Sequence, residues 1–416
     1  MKRSIAIFSA LFFLAVSQIN AQGFDPIKRC VTDANGQCLP NAILSAMPFL
    51  RIVPDARGGS MGDAGITTSA DPNSLHYNSS KLAFVEKDMS FSATYTPWLR
   101  NLGLQDVYLT YLTGYKKVDE LQSLGFGLRF FSLGEINFTD FDGNPSGTGK
   151  PRELEFAVSY NRKLSDNFSA GISAKYIYSN LASGQQVGGI PISAANAFAA
   201  DISFTYKKKG QMTAYGSEWT FGGAISNLGS KVTYTRSEFK DFLPANLGLG
   251  AGLLLNFDDF NSMSFHLELN KLLIPSPQSP TLKDPETGAL TENPEYDADN
   301  NGEPDYKEQS NFGALISSFG DAQGGFSEEL KEFNISFGME YWYNKQFAVR
   351  AGYYYEHPIK GDRQFLTVGA GLKYNVFAID LSYLVPTNNR RNPLDNTLRF
   401  TLQFDFAALT GDYEEN

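Results

Sequence analysis

The sequence predicts an all-β fold, a fourteen-stranded antiparallel transmembrane β-barrel with an N-terminal plug or hatch segment. From residue 88 onwards, segments of about ten residues alternate apolar and polar side chains, as in residues 398–406, where every second residue is apolar. Short and long connections between these segments alternate along the chain. An export signal precedes them, and no later apolar run is long enough for a spanning helix, so membrane insertion requires a closed barrel.

The first element is a predicted signal peptide, residues 1–21. Lys2 and Arg3 are followed by an apolar run over residues 5–16 and by the small residue Ala21, the usual order in a segment that is removed on export. The chain has a formal net charge of −10, and loss of the two basic residues leaves −12, because residues 1–21 contain no acid. This acidity argues against nucleic acid as a partner.

Residues 22–87 do not alternate and form the predicted N-terminal segment, on the periplasmic side and inside the barrel. Cys30 and Cys38, the only cysteines, are eight positions apart in an exported chain, which favours a disulfide over free thiols or a metal site. Residues 41–50 have the pattern of a short amphipathic helix.

The stretch 54–65 is rich in glycine but lacks the Lys-Ser/Thr pair and the βαβ context of a phosphate-binding loop. A glycine-rich segment can bring its backbone close to another surface, so we expect this stretch to lie against the inner wall of the barrel. The hatch residues predicted on this basis are Arg57, Gly58, Gly59, Met61, Gly62 and Gly65.

The predicted barrel covers residues 88–407, and a short tail, 408–416, follows it. Aromatic residues make up 14% of the chain, and Trp98, Trp219 and Trp342 all fall near segment ends, where an interfacial aromatic girdle would place them. The strands are placed at residues 88–98, 106–116, 122–133, 152–163, 168–178, 196–208, 217–228, 244–256, 260–271, 332–343, 346–356, 363–374, 376–385 and 396–407.

The connections predict the orientation. Those after the second, fourth, eighth, tenth and twelfth strands are turn-like, whereas those after the third, fifth, seventh, ninth and thirteenth are longer. Short turns face the periplasm in such barrels and long loops face outside, so both termini are expected on the periplasmic side.

Charged residues on the polar face of the strands are expected to line the lumen, namely Glu155, Glu268, Arg350, Asp380 and Asp405. Glycines in predicted strands, among them Gly125, Gly127, Gly250 and Gly252, mark either bends in the wall or packing sites in the lumen.

The longest connection, the predicted extracellular loop 273–331, contains a possible calcium loop at residues 297–308. Acidic or amide residues stand at positions one, three and five, glycine at six and glutamate at twelve. Pro304 replaces the usual aliphatic residue and no amphipathic helix is predicted to flank the loop, so a solvated acidic loop is the alternative. The oxygen ligands would come from Asp297, Asp299, Asn301, Glu303, Asp305 and Glu308.

The stretch 56–65, followed by residues 70–73 and 78–83, resembles the N-terminal hatch of the fatty-acid-transporter-like barrels, which implies fourteen strands and a plug. More narrowly, residues 41–54, 226–229 and 243–252 resemble the PorV family of the type IX secretion system. The order and spacing of these motifs carry the resemblance, which spans nearly the whole mature chain.

The resemblance implies a non-enzymatic protein of the outer membrane of Bacteroidota. PorV proteins accept secreted cargo through its C-terminal signal domain, bind beside the large translocon barrel, and pass cargo to the attachment complex that contains the sortase PorU. Recognition is then expected in the extracellular loops.

Two other functions are weighed against this one. A fatty-acid-transporter-like channel for hydrophobic small molecules shares the plan, although predicted inward residues such as Ser264, Glu268 and Glu340 are polar. An enzyme is not expected, since no nucleophile elbow is present. Arg390 and Arg391 are either lipopolysaccharide contacts or solvated loop charges. No cofactor is predicted apart from a possible Ca²⁺.

Overall fold

The computed structural model describes residues 22–33, 35–99, 104–139, 143–187, 190–235, 240–387 and 397–406. Among these residues, no helix combines the length and the apolar character needed to cross a membrane. The predicted signal peptide, the arginine pair Arg390 and Arg391, and the tail 408–416 lie outside the described residues.

Fourteen antiparallel strands close into one barrel, and the last strand pairs with the first, with Phe404 opposite Phe91. Every strand end lies within two residues of the predicted position. The strands are β1 (Met89–Pro97), β2 (Val107–Lys117), β3 (Gln122–Leu133), β4 (Arg152–Ser165), β5 (Phe168–Asn180), β6 (Ala195–Gly210), β7 (Ser217–Gly229), β8 (Asn246–Asn256), β9 (Asn261–Leu272), β10 (Asn334–Tyr343), β11 (Phe347–Tyr355), β12 (Gln364–Tyr374), β13 (Phe377–Pro386) and β14 (Leu398–Asp405).

Side chains alternate between the two faces of the wall because successive residues of a strand point to opposite sides. Along β4, buried and exposed residues alternate over most of its length. Apolar side chains such as Leu267 and Leu402 are exposed on the outer face. The predicted lumen residues are all buried, and this prediction is confirmed for Glu155, Glu268, Arg350, Asp380 and Asp405.

The chain divides into two compact units, which are described separately. In the smaller unit, strand Gly23–Asp25 pairs with Cys30–Thr32 and, in parallel, with Thr281–Lys283 of the connection after β9. A disulfide joins Cys30 to Cys38, with the Cα atoms 5.6 Å apart. The remaining short strands of the described residues are Ile136–Thr139, Pro145–Gly149, Gln186–Val187, Ile190–Pro191 and Leu290–Glu292.

The amphipathic helix predicted at residues 41–50 is wrong. Only one 3₁₀ turn, Pro48–Arg51, forms there. Met47, which precedes Pro48, has the left-handed backbone conformation (φ 49°), and a proline disfavours the helical conformation in the residue before it.

The N-terminal residues lie with the long connections, not with the short turns. Strand Gly23–Asp25 pairs with part of the connection after β9, and in the larger unit the Ala46 N–H donates to the Phe242 carbonyl in the long connection after β7 (2.9 Å). The chain then passes through the barrel, because β1 begins at the short-turn end. The prediction that both termini share the periplasmic side is therefore wrong for the N-terminus, since it assumed that residues 22–87 stay where β1 begins.

This path predicts that the disulfide is accessible from outside the cell. After mild reduction of intact cells, a membrane-impermeant maleimide is expected to label Cys30 and Cys38, because long loops face outside. The control is an Asn167→Cys variant that lacks both native cysteines. Its cysteine lies in the short turn between β4 and β5 and is expected to react only after the cells are broken. The opposite labelling pattern would contradict this orientation.

Candidate functional site

The candidate site is built by the inner segment, defined here as residues 45–85, and the strand faces that surround it. The segment contains two single-turn helices, α1 (Ala56–Gly59) and α2 (Ser74–Tyr77), and a second 3₁₀ helix, Ser79–Phe84. Asp55 caps α1, with Oδ2 accepting from the Gly58 N–H at 2.9 Å, and its Oδ1 accepts from the Tyr77 hydroxyl at 2.5 Å. Burial raises the pKa of both Asp55 and Tyr77, so the tyrosine stays protonated as the donor.

Glycines in the wall allow the backbone of the inner segment to approach it closely. A Cβ atom on Gly352 would lie 2.1 Å from the Gly62 nitrogen and from the Met61 carbonyl carbon. Gly338 faces Gly352 across the β10–β11 pair, and a Cβ atom there would lie 2.7 Å from the Met61 carbonyl oxygen. Only glycine fits these wall positions, and Gly62 itself has a positive φ of 65°.

The four strand glycines that the sequence left as either bends in the wall or packing sites, Gly125, Gly127, Gly250 and Gly252, are packing sites. A Cβ atom on Gly125 or Gly127 would lie 2.9 Å from a side-chain carbon of Leu82 or Leu75, respectively. Gly250 and Gly252 face Thr67 in the same way. These four glycines therefore accommodate the inner segment.

A buried ion-pair network joins the inner segment to the wall. Arg57 makes a bidentate contact with Glu340 of β10, from Nε to Oε2 (2.9 Å) and from Nη2 to Oε1 (2.7 Å), and Nη1 donates to Asp71 (2.8 Å). Glu340 Oε2 also accepts from Arg350 Nε (2.6 Å), and Arg350 Nη1 donates to Asp380 (2.6 Å). Two guanidinium groups and three carboxylates thus form one chain across β10, β11 and β13.

The electrostatics of Arg57 follow from these contacts. Burial by itself would lower the pKa of Arg57, but the carboxylates of Glu340 and Asp71 raise it well above its usual value. Arg57 therefore stays positively charged inside the barrel. The carboxylates of Glu340 and Asp71, which the fold brings next to it, balance this charge.

The middle of the inner segment is held by polar groups of the wall. Glu268 of β9 accepts from the backbone N–H groups of Gly65 (3.0 Å) and Ile66 (2.6 Å). Lys81 donates to the Gly65 carbonyl, and burial lowers the pKa of this lysine to about 8. These contacts satisfy backbone groups that have no partner in regular secondary structure.

His76 is held as a neutral acceptor. Arg129 Nη2 of β3 donates to His76 Nδ1 (2.6 Å), and Nη1 donates to the Phe49 and Leu50 carbonyls. Burial, together with the charge of Arg129, lowers the pKa of His76 well below its usual value. The histidine therefore helps to position Arg129 and the 3₁₀ turn that follows Met47.

A cavity of about 110 Å³ lies between the inner segment and the wall, where β7 and β9 end and β8, β10 and β12 begin. Because these strand ends join the long connections, the cavity is at the long-loop end of the barrel. All three motifs that carry the PorV resemblance, 41–54, 226–229 and 243–252, contribute to its lining. The polar strand residues around it are Ser226, Asn227, Asn246, Glu268, Asn270, Asn334 and Ser336.

At one side of the cavity, Glu356 pairs with two arginines, with Arg363 Nε 2.8 Å and Arg51 Nη2 3.7 Å from its carboxylate oxygens. Burial alone would raise the pKa of Glu356, but Arg363 and then Arg51 lower it, so the carboxylate remains charged. Sequence analysis did not single out these three residues. The only signal was that Glu356 ends one predicted strand and Arg363 begins the next, which is too weak to identify a pocket, and no pattern indicated Arg51.

Five of the six predicted hatch residues divide into two roles, and the sixth, Met61, is fully buried. Arg57 is an ion-pair partner, whereas Gly58, Gly59, Gly62 and Gly65 provide space. Gly58 and Gly65 lie against the Tyr77 side chain and Gly59 lies against Arg399. Their action as a plug that closes the barrel stays a prediction.

The predicted calcium loop brings most of its residues together. Carboxylate oxygens of Asp297, Asp299 and Asp305 lie within 4.8 Å of one another. Asn301 Nδ2 donates to Asp299 (3.0 Å) and Glu308 (2.6 Å), although Glu308 is not part of this three-carboxylate group. A seven-residue helix, Asn311–Ser317, follows the loop, and in the described residues no helix directly precedes it. Calcium binding itself stays a prediction.

Calcium titration of the whole protein in detergent is expected to release heat and to show one site, which Asp299→Asn weakens by at least about tenfold, since affinity depends on ligand charge. Glu292→Gln is the matched control, because Glu292 is an exposed acid of the same loop outside the cluster. The absence of heat at millimolar calcium would contradict the prediction.

Comparison with known proteins identifies the family. Residues 35–279, more than half of the chain, match the family model described as type IX secretion system protein PorV. The chain belongs to the PorV family. PorV proteins are type IX secretion components of the Gram-negative outer membrane, and they are not known enzymes. No curated protein sequence matches this PorV-family chain.

Solved structures similar to this PorV-family barrel include two toluene transporters and a FadL homologue. TbuX of Ralstonia pickettii is 11% identical over 84% of this chain and 96% of that one, with a TM-score of 0.45. TodX of Pseudomonas putida is 11% identical over 83% and 95%, with a TM-score of 0.46. The Pseudomonas aeruginosa FadL homologue is 11% identical over 88% and 100%, with a TM-score of 0.39. Similarity at this level carries no information about ligands.

Proposed function

We propose that this PorV-family protein binds the C-terminal signal domain of secreted cargo at the outer membrane and passes it from the translocon barrel to the attachment complex that contains the PorU sortase. The observation that carries the proposal is the cavity at the long-loop end. Residues of all three family motifs, 41–54, 226–229 and 243–252, meet around it, and the first is more than 170 positions from the other two in the sequence.

The chemistry of the cavity suits an extended peptide. Asn246, Asn270 and Asn334 carry side-chain amides, each with a donor and an acceptor, which complement the donor and acceptor of a peptide backbone, whereas the Asn227 amide is already bonded to Lys175 and to the Pro244 carbonyl. Some of this capacity is used within the wall, since Asn246 Nδ2 donates to Asn270 Oδ1 at 3.0 Å. Asn334 is buried at the start of β10 and is the best position at which to remove an amide without breaking a wall contact.

Transport of hydrophobic small molecules is the alternative. A channel for such compounds needs a continuous apolar lining, because an apolar solute gains nothing from amide and carboxylate groups. In the described part of the lumen, the buried inward side chains of the wall include Glu340, Arg350 and Glu268, and the inner segment adds the buried Arg57. This polarity favours the cargo-binding function.

The test is secretion in the host. Deletion of the gene is expected to leave proteins with the C-terminal signal domain in the periplasm, and complementation with Asn334→Leu is expected to restore secretion only in part. Asn167→Leu, in an exposed short turn, is the matched control and should restore it fully. Normal secretion in the deletion strain would overturn the proposal. If uptake of an aromatic hydrocarbon were lost instead, the transport alternative would be supported.

A further inference from the structure

The long connection after β9 presents an exposed apolar surface. Helix Asn311–Ser317 places Phe312 and Ile316 on one face, where they are 74% and 63% exposed, and Phe319 continues that face. Phe326 and Leu330, 76% and 55% exposed, are one helical turn apart in the segment that begins with Phe326–Glu329. We call these five side chains the loop face.

In ordinary packing, apolar side chains are buried and charged side chains are exposed. Around the loop face the large apolar side chains are exposed, while small and charged side chains are buried. On the opposite side of helix Asn311–Ser317, the small residues Ala314 and Ser318 are buried. Beyond it, Glu328 and Glu329 are buried. Five large apolar side chains exposed to this extent in one connection indicate an interaction site.

Buried carboxylates hold this arrangement in place. Glu328 Oε2 accepts from the Gly324 N–H (2.7 Å) and Oε1 accepts from Lys360 Nζ (2.5 Å). Glu329 Oε1 accepts from the Ala322 N–H (2.8 Å). The loop face is therefore presented by an ordered scaffold, which reduces the entropy cost of binding.

The charge of the same loop restricts the partner. Residues 275–331 contain twelve acidic and three basic residues, a net charge of −9. A second copy of this chain would bring an equal negative charge against the first, and phosphate-rich lipid headgroups would also be repelled. We propose that the loop face binds a protein surface that combines an apolar patch with surrounding Lys and Arg side chains. The inference deepens the proposed function, on which it rests, because it assigns the docking of a secretion partner to this loop.

Photo-crosslinking in the host tests the proposal. A benzoylphenylalanine residue replaces Phe312 in the full chain, and Leu290, exposed in the same connection, carries the probe in the control. Crosslinking at 312, and not at 290, to a protein segment with apolar residues flanked by Lys or Arg is expected. Crosslinks to lipid, to a second copy or to an acidic segment would overturn the proposal, as would equal yields at the two positions.

A second measurement uses the double variant Phe312→Ser and Ile316→Ser, with a probe at Phe326. Because the side chains are exposed, the amount of folded barrel should not change. The crosslinked partner should fall by about tenfold or more, since buried aromatic anchors dominate binding. An unchanged yield would overturn the proposal. If the partner is basic but unrelated to secretion, the loop face is supported while the proposed function fails, so the two failures are distinguishable.

Discussion

Replacing Arg57 by methionine is expected to lower the free energy of unfolding of the inner segment by about 3–5 kcal/mol, because removal of one partner leaves uncompensated charge inside the barrel. Glu340 would keep only Arg350, and Asp71 would lose the 2.8 Å contact to Arg57 Nη1. Methionine fills much of the volume of the arginine stem, so the loss reports on the charge and its hydrogen bonds more than on a cavity.

Protease cleavage of the inner segment across a urea series, with the protein in detergent micelles, measures this loss separately from unfolding of the barrel. Arg162→Met is the control, since Arg162 is exposed on β4, and it should change the stability by less than about 0.5 kcal/mol. The double variant Arg57→Met and Glu340→Gln should recover part of the loss by removing the unpaired carboxylate. A cost below about 1 kcal/mol for Arg57→Met would show that the network does not anchor the segment.

Replacing Gly352 by alanine is expected to destabilise the inner segment by about 1–3 kcal/mol or more, the usual cost of inserting atoms into a packed interior. The new Cβ atom would lie 2.1 Å from backbone atoms of Met61 and Gly62, so no side-chain rotation relieves the clash. Met61 is fully buried and Gly62 donates to Thr367 Oγ1 (2.8 Å), so a shift of this backbone also breaks a hydrogen bond.

The same protease assay is expected to show faster cleavage of residues 45–85 in Gly352→Ala, while the barrel keeps its resistance to unfolding. Gly320→Ala is the matched control, because a Cβ atom there meets no other atom within 4 Å and its φ is not positive. Cleavage rates equal to those of the unchanged protein would mean that the segment does not lie against β11.

Sequence patterns were sufficient for the barrel wall. Alternation in segments such as β4 and β14 reflects the two faces of a strand, a local property that needs no knowledge of the partners. The candidate site was only partly predictable. Glycine enrichment at residues 58–65 indicated close packing, but the ion pairs of Arg57 join residues up to 283 positions apart.

By itself, the sequence determined the number of strands, their positions and the inward charges. Each strand has one face toward lipid and one toward the lumen, so apolar and polar residues alternate along it and the strand can be recognised locally. The tertiary structure decided which charges pair, that the motif at 41–54 joins those at 226–229 and 243–252 at one cavity, and that residues 22–44 lie with the long connections. These features depend on the path of residues 45–85 through the barrel. That path is set by long-range contacts at Glu340, Glu268 and Gly352, which no local pattern records.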